Sequence, residues 1–322
     1  MTGDGARNGG ADNGDALAGD RAKGGPPERD ALGPEALAAV EAVLGRRAAG
    51  AIVAADNLAL LDALPDGVVD LAYADPPFAT GSARRLESIR LGAGERERPG
   101  YRGEPTRYEV TSSLAYDDGL PLADHLAALR TRVVAIHRVL ASHGSLYLHV
   151  DWRTVHHVRL MLDEVFGAER FLNEIVWAYD YGGRSRDRWP RKHDTILWYA
   201  KGDDWRFDRD AIDRIPYMAP GLVGPEKASR GKVPTDVWWM TIVPPGSGER
   251  TGYPTQKPVR LLERIVAASS RPGDLVLDPY AGSGTTGVAA ARLGRRWLLA
   301  DRNPEAVAIA SRRLSAEEAA KP

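Results

Sequence analysis

The sequence predicts an α/β fold built on a mostly parallel, doubly wound sheet. Three observations predict it. Short apolar runs alternate with helix-spaced segments over most of the chain, two of these runs end abruptly in acid–proline sequences, and one opens into a glycine loop that leads straight into a helix. Strands separated by helices pair in parallel with helices on both faces. Ligands of such sheets bind at the carboxyl ends of the strands.

Residues 1–33 are rich in Gly, Ala, Asp and Asn and poor in large apolar groups. Such a segment buries too little surface to offset its ordering entropy, so a disordered tail is expected there and a single domain over 34–322. Pro34 followed by EALAAVEAVLG reads as a helix with proline at its first position and Gly45 past its end. AIVAAD (51–56) is a strand, LALLDAL (58–64) a helix and VVDLAYADPPF (68–78) a strand stopped by two prolines. A long helix is expected over 122–144, closed by Gly144, then a strand at 145–151 and a helix at 155–167. Strands follow at 173–179 and 195–201, and 202–250 is irregular, with many Pro, Gly and Trp. Beyond it come a helix (259–270), a strand and glycine loop (274–284), a helix (285–294), a strand (296–301) and a last helix (305–314).

Composition excludes more than it identifies. The chain has no cysteine, which removes disulfides, thiolate metal sites and cysteine nucleophiles. It therefore also removes the covalent route to methylating a cytosine ring carbon. The net charge is −1, so any affinity for phosphates must come from a local basic patch. With no apolar run long enough to span a bilayer and no signal-peptide core, a cytoplasmic location is the default expectation.

The glycine loop reads GSGTTG (282–287), with Asp301 ending the next strand 19 residues after Gly282. A dinucleotide site shares this fingerprint. Two features favour a different ligand. Asp278, just before the loop, would repel a pyrophosphate and attract an ammonium, and only 35 residues follow Gly287, too few for the second half of a dinucleotide fold. S-adenosylmethionine carries an ammonium, a sulfonium, an adenine and a ribose diol. Asp278 suits its cationic end, Gly282 and Gly284 would allow close backbone approach, and Asp301 can accept from the ribose hydroxyls.

The other acid–proline sequence is Asp75-Pro76-Pro77-Phe78. A proline pair can serve simply to end a strand, but one chemistry uses all four residues. An exocyclic amino nitrogen is a poor nucleophile because its lone pair is delocalised into the ring. The Asp75 carboxylate and the Pro76 carbonyl, aimed at its two hydrogens, would draw it toward tetrahedral geometry. Prolines hold that carbonyl rigidly, so little reorganisation accompanies reaction. Phe78 offers a flat face for a base held outside the helix stack.

These residues resemble the β class of amino DNA methyltransferases, in which a D/S-P-P-Y/F tetrapeptide precedes a DPFxGSGTT-like cofactor loop. Here DPPF lies at 75–78 and DPYAGSGTT at 278–286, and YPTQKPVRLLERIV (253–266) resembles the segment entering the loop. The resemblance implies a Rossmann-like methyltransferase fold, circularly permuted so that the catalytic motif comes first, with an inserted target-recognition region. It implies Asp56 at the cofactor's adenine, Thr255 and Lys257 near its methionine end, and Pro279, Tyr280 and Thr285 in the cofactor loop. Where many relatives have Tyr then Asn, this chain has Phe78 and Ala79; the stacking face is kept and only a hydroxyl is lost. Aspartate at 75 tilts the expected target toward adenine N6 over cytosine N4.

GGRSRDRWPRK (182–192) groups Arg184, Arg186, Arg188, Arg191 and Lys192 around Trp189, a pattern suited to phosphates and to stacking or wedging. The recognition region is expected within 182–250, and a mobile loop around 79–120 to close over the target base. The expected partner is double-stranded DNA; a homodimer and a companion restriction endonuclease are compatible with it. No metal site is expected. Two other classes stay open on sequence alone, a dinucleotide-dependent oxidoreductase and a DNA-binding protein without catalysis, and so does a methyltransferase acting on RNA or a small molecule.

Overall fold

The computed structural model describes residues 31–78, 84–99, 105–116, 120–182, 185–244 and 246–319. The tail expected over 1–33 lies almost wholly outside them. Its last residues belong to the fold: Leu32 packs on the core and Gly33 caps the first helix.

In chain order the elements are α1 (Pro34–Leu44), β1 (Gly50–Ala54), α2 (Asn57–Ala63), β2 (Val69–Ala74), β3 (Arg84–Pro99), β4 (Pro105–Tyr116), α3 (Leu122–Val139), β5 (Leu140–Val150), α4 (Val155–Phe166), β6 (Phe171–Ala178), β7 (His193–Ala200), α5 (Pro225–Arg230), β8 (Val237–Trp239), α6 (Val259–Ser269), β9 (Leu275–Asp278), α7 (Thr285–Arg292), β10 (Arg296–Asp301) and α8 (Pro304–Ala319). Eight strands form one sheet in the order β1-β10-β9-β2-β5-β7-β6-β8. Only β7 runs against its neighbours. Strands β2 and β9 are buried almost throughout, as a sheet covered on both faces requires. One apolar cluster joins α1 to α4 with one face, and a second joins α6 and α7 with the other. Among the described residues no helix is long and apolar enough to cross a membrane.

Three local expectations change. The long helix stops at Val139 rather than running to Gly144. Leu140 already pairs with Val69, and a Cβ on Gly144 would lie 3.0 Å from the carbonyls of both Ala141 and Val69. That glycine permits a close backbone approach inside β5 and does not cap a helix. Within the expected loop at 79–120, β3 and β4 pair as an antiparallel hairpin. Within the expected irregular region, β8 joins the sheet beside β6; there Trp238 is buried while Trp239 is 77% exposed.

Candidate functional site

The chain reverses direction across the sheet between β9 and β2, which are neighbours. From β9 it passes through α7 to β10 on one side, and from β2 it reaches β5 on the other. A crevice opens at the carboxyl ends of strands wherever the order reverses in this way. Both acid–proline sequences lie there.

The crevice is a cavity of about 530 Å³. Asp75, Pro76, Pro77 and Phe78 line it together with Asp56, Thr255, Lys257, Asp278, Pro279, Tyr280, Gly282, Thr285 and Asp301. Residues more than 200 positions apart thus share one space, and of the residues assigned from sequence to catalysis or cofactor only Gly284 is missing from its wall. Gly284 has φ +75, and a Cβ there would meet Ala310 at 2.7 Å. Its bare backbone admits helix α8 and a left-handed turn; the close approach assigned to it from sequence is with this helix. Gly282, at φ +49, does face the cavity, beneath Tyr253.

The loop is organised by its own carboxylates. Asp278 is buried and accepts from the Tyr280 amide at 2.9 Å and the Thr286 hydroxyl at 2.5 Å. Asp301 accepts from the amides of Gly282 and Asn303, each at 2.8 Å. The Gly284 and Ala281 amides donate to the carbonyls of Ala281 and Ala300. The amides of Tyr280, Ala281, Gly282 and Gly284 are therefore already engaged within the loop and its neighbouring strand. Burial, with the charges of Asp75 and Asp301, pushes the Asp278 carboxyl up to about 7. Burial also raises that of Asp301. Crowded carboxylates with elevated pKa values suit a cationic ligand and oppose a pyrophosphate, which removes the dinucleotide reading.

At the other end of the cavity, Asp56 caps α2 by accepting from the Leu58 amide at 2.9 Å. Its second oxygen meets Arg132 Nη2 at 3.2 Å. Arg132 Nε also donates to Asn57 at 2.7 Å, and Asn57 donates to the Pro279 carbonyl at 3.1 Å. Helix α3, helix α2 and the cofactor loop are thereby tied together. Sequence reading missed Arg132 and Asn57: the contact spans 75 residues, and one arginine in a long helix carries no local signal.

Asp75 has two unlike oxygens. Oδ2 meets the Lys257 ammonium at 2.7 Å. Oδ1 is buried and has no hydrogen-bond partner among the described residues. A buried acceptor left unpaired is costly and points to a donor supplied by a ligand. Lys257, assigned from sequence to the methionine end of the cofactor, lies between Asp75 and the Phe78 ring, whose centroid is 5.4 Å from Nζ. Thr285 secures it by donating to its carbonyl at 3.1 Å.

A second cavity, of about 640 Å³, lies beyond Phe78 and shares Phe78, Tyr253, Thr255 and Lys257 with the first. Its walls include Trp177, Tyr179 and Asp194, with Trp152, Arg153, Arg191 and Arg250 also lining it. The Arg191 guanidinium lies 3.5 Å from the Trp152 ring centroid, and that of Arg153 lies 4.6 Å from it. Among the described basic residues of the loop, only Arg191 lines this cavity. Arg186 and Arg188 are exposed, Arg188 pairs with Asp187, and Lys192 pairs with Asp180 at 2.9 Å. Trp189 is 93% exposed, and Arg184 lies outside the described residues.

Comparison with known proteins agrees with this geometry. A family model described as DNA methylase matches residues 69–312. The DNA adenine methyltransferase YhdJ of Escherichia coli (strain K12) is 31% identical over 286 residues, covering 84% of this chain and 86% of its own. Among solved structures, the cytosine-N4-specific PvuII DNA methyltransferase superposes with a TM-score of 0.58 at 18% identity, over 82% of this chain and 86% of that one. The putative DNA modification methylase TTHA0409 from Thermus thermophilus, complexed with S-adenosyl-L-methionine, superposes with a TM-score of 0.52 at 22% identity, over 84% and 97%. The chain belongs to the DNA methylase family, the S-adenosylmethionine-dependent DNA methyltransferases with a Rossmann-like fold.

Proposed function

We propose that this protein methylates the N6 amino group of adenine in double-stranded DNA, with the first cavity holding S-adenosylmethionine and the second receiving the flipped base. The observation that carries the reading is the unpaired, buried Asp75 Oδ1 in a cavity walled by carboxylates. The cofactor supplies an electrophilic methyl on a sulfonium. Asp278 faces its cationic end, Asp301 its ribose and Asp56 its adenine. Asp75 Oδ1 and the Pro76 carbonyl accept from the two hydrogens of the target amine and turn its lone pair toward that methyl. Transfer would form the N–C bond as the methyl–sulfur bond breaks, and the proton the amine sheds would pass to the Asp75 carboxylate and on to solvent. Lys257, held on the other Asp75 oxygen, keeps the carboxylate oriented. Phe78, which lines both cavities, stacks on the base.

Aspartate at 75 and the 31% identity to an adenine methyltransferase support adenine. The same reading carries a cytoplasmic location and accommodates a homodimer and a companion restriction endonuclease. The test is incubation with labelled cofactor and genomic DNA, followed by nucleoside analysis. N6-methyladenine is expected. N4-methylcytosine would overturn the choice of base, and no transfer to DNA would overturn the reading.

The basic loop supplies the grip. Arg186, Arg188, Arg191 and Lys192 flank in sequence a tryptophan left almost wholly in solvent, a combination that suits insertion where the base leaves the stack. Trp189→Ala is expected to slow methylation of duplex DNA about tenfold, for ~1.4 kcal/mol of lost wedge energy. Activity on an oligonucleotide whose target adenine faces an abasic site should be spared, because that base is already unpaired. Equal losses on both substrates would argue against a wedge.

A further inference from the structure

Three adjacent strands and the residue just past a fourth each bring one polar side chain to a row at the functional rim of the sheet, buried at its Tyr73–His149 end. Tyr73, from β2, has its hydroxyl 2.8 Å from His149 Nδ1 on β5. His149 Nε2 lies 3.2 Å from Asp194 Oδ2 on β7. Asp194 Oδ1 accepts from the hydroxyl of Tyr179, just past β6, at 3.3 Å. The His149 side chain has no exposed surface. Burial works against the charge of Asp194, but the bond from His149, the Lys257 ammonium and Tyr179 together hold its carboxyl below the usual range. An ionised Asp194 can only accept, so Nε2 bears a ring proton. Burial first, then nearby Asp75, keeps the Tyr73 phenol protonated, and it can donate to Nδ1. With both nitrogens engaged, the imidazole cannot turn.

Other rings rest on this fixed one. The Phe78 ring lies 6.0 Å from His149, tilted by 31°, and Trp177 meets it edge-on at 5.6 Å. Tyr73 lines the first cavity, Asp194 and Tyr179 the second, and Phe78 both. Burying a phenol, an imidazole and a carboxylate in a row is a poor way to gain stability, since apolar residues of similar volume often do as well or better. What the row does provide is a stiff connection between the wall of the base pocket and the strand that ends in Asp75.

We propose that His149 is a positioning residue for methyl transfer, fixing Phe78 and the end of β2 so that Asp75 and Pro76 meet the target amine in register. The inference rests on the methyltransferase reading. It deepens that reading by placing a control of the chemical step outside both acid–proline motifs. Misplacement of a reacting group by about 1 Å costs on the order of 100-fold in rate.

The test compares His149→Phe with His149→Asn, which can keep the bond to Tyr73, and His149→Gln, which can keep the bond to Asp194. Tyr179→Phe removes only the outermost bond and leaves the core intact. Single-turnover transfer to duplex DNA, S-adenosylmethionine affinity by calorimetry and Tm are measured on each. For His149→Phe we expect transfer slowed about 10- to 100-fold with cofactor affinity within about twofold. The Asn and Gln variants should be intermediate, and Tyr179→Phe slowed several-fold at unchanged Tm. If His149→Phe does not fold, the ordering of the other three decides. An unchanged transfer rate in folded variants, or cofactor affinity falling in step with rate, overturns the inference while leaving the methyltransferase reading intact. A wild-type protein that methylates no DNA overturns both.

Discussion

Asp75→Ala is expected to slow methyl transfer about 10²- to 10³-fold, the usual loss when one preorganised group facing the transition state is removed, while S-adenosylmethionine affinity stays within a few-fold. The separation follows from the two ends of the cavity. Asp278, Asp301 and Asp56 draw their local partners from the cofactor loop and from helices α2 and α3, so removing Asp75 leaves that half built. What disappears is the acceptor we propose draws the target amine out of conjugation. The variant also strands the Lys257 ammonium, whose side chain is 12% exposed and paired to Asp75. A fall in Tm is expected beside the kinetic loss, and single-turnover rates at saturating cofactor and DNA keep the two apart. Retained activity would remove Asp75 from the reaction; parallel loss of cofactor affinity would make it a binding group.

Much of this site is legible in the sequence because its parts are punctuated. A strand that ends in Asp-Pro-Pro and another that ends in Asp-Pro before two glycines announce where they stop and, by the rule that such sheets bind at strand carboxyl ends, the crevice they share. The fold class follows from the same alternation. What escaped reading depends on partners far away in the chain. The hairpin β3–β4 is dense in charge and lacks the apolar alternation that marks a half-buried strand. Helix α3 stops at Val139 because Leu140 pairs with Val69, a contact no local pattern in 122–144 encodes. Gly284 sits in the motif for a reason supplied by Ala310, on the last helix. His149 reads as one more residue of an apolar strand until Tyr73 and Asp194 are seen on either side of it. Local propensity names elements and motifs; pairing across the sheet decides which buried polar groups act together.

Cofactor affinity is expected to fall roughly 50- to 100-fold as pH drops from about 7.5 to 5, because a cation selects the ionised form of a carboxyl whose pKa is elevated. Asp278 titrates at about 7, pushed there by burial, with Asp75 and Asp301 adding to the rise against the bonds from Thr286 and Tyr280. Below that value the free site gains a proton that a bound ammonium and sulfonium must displace, so affinity declines about tenfold per pH unit. Stability runs the other way. A carboxyl with a folded pKa of about 7 and an unfolded value near ~3.9 binds its proton more tightly in the folded state. This group therefore adds stability as pH falls from about 7 toward 4 and withdraws it as pH rises through 7. The Tm gain on adding S-adenosylmethionine should accordingly be largest above pH 7 and shrink in acid, opposite to the trend this carboxyl imposes on the free protein. Asp278→Asn keeps the shape and an acceptor for the Tyr280 amide but cannot ionise, so its affinity should be weak and nearly flat with pH. A wild-type affinity just as flat from pH 7.5 to 5 would mean that this carboxylate orders the glycine loop without attracting the cation.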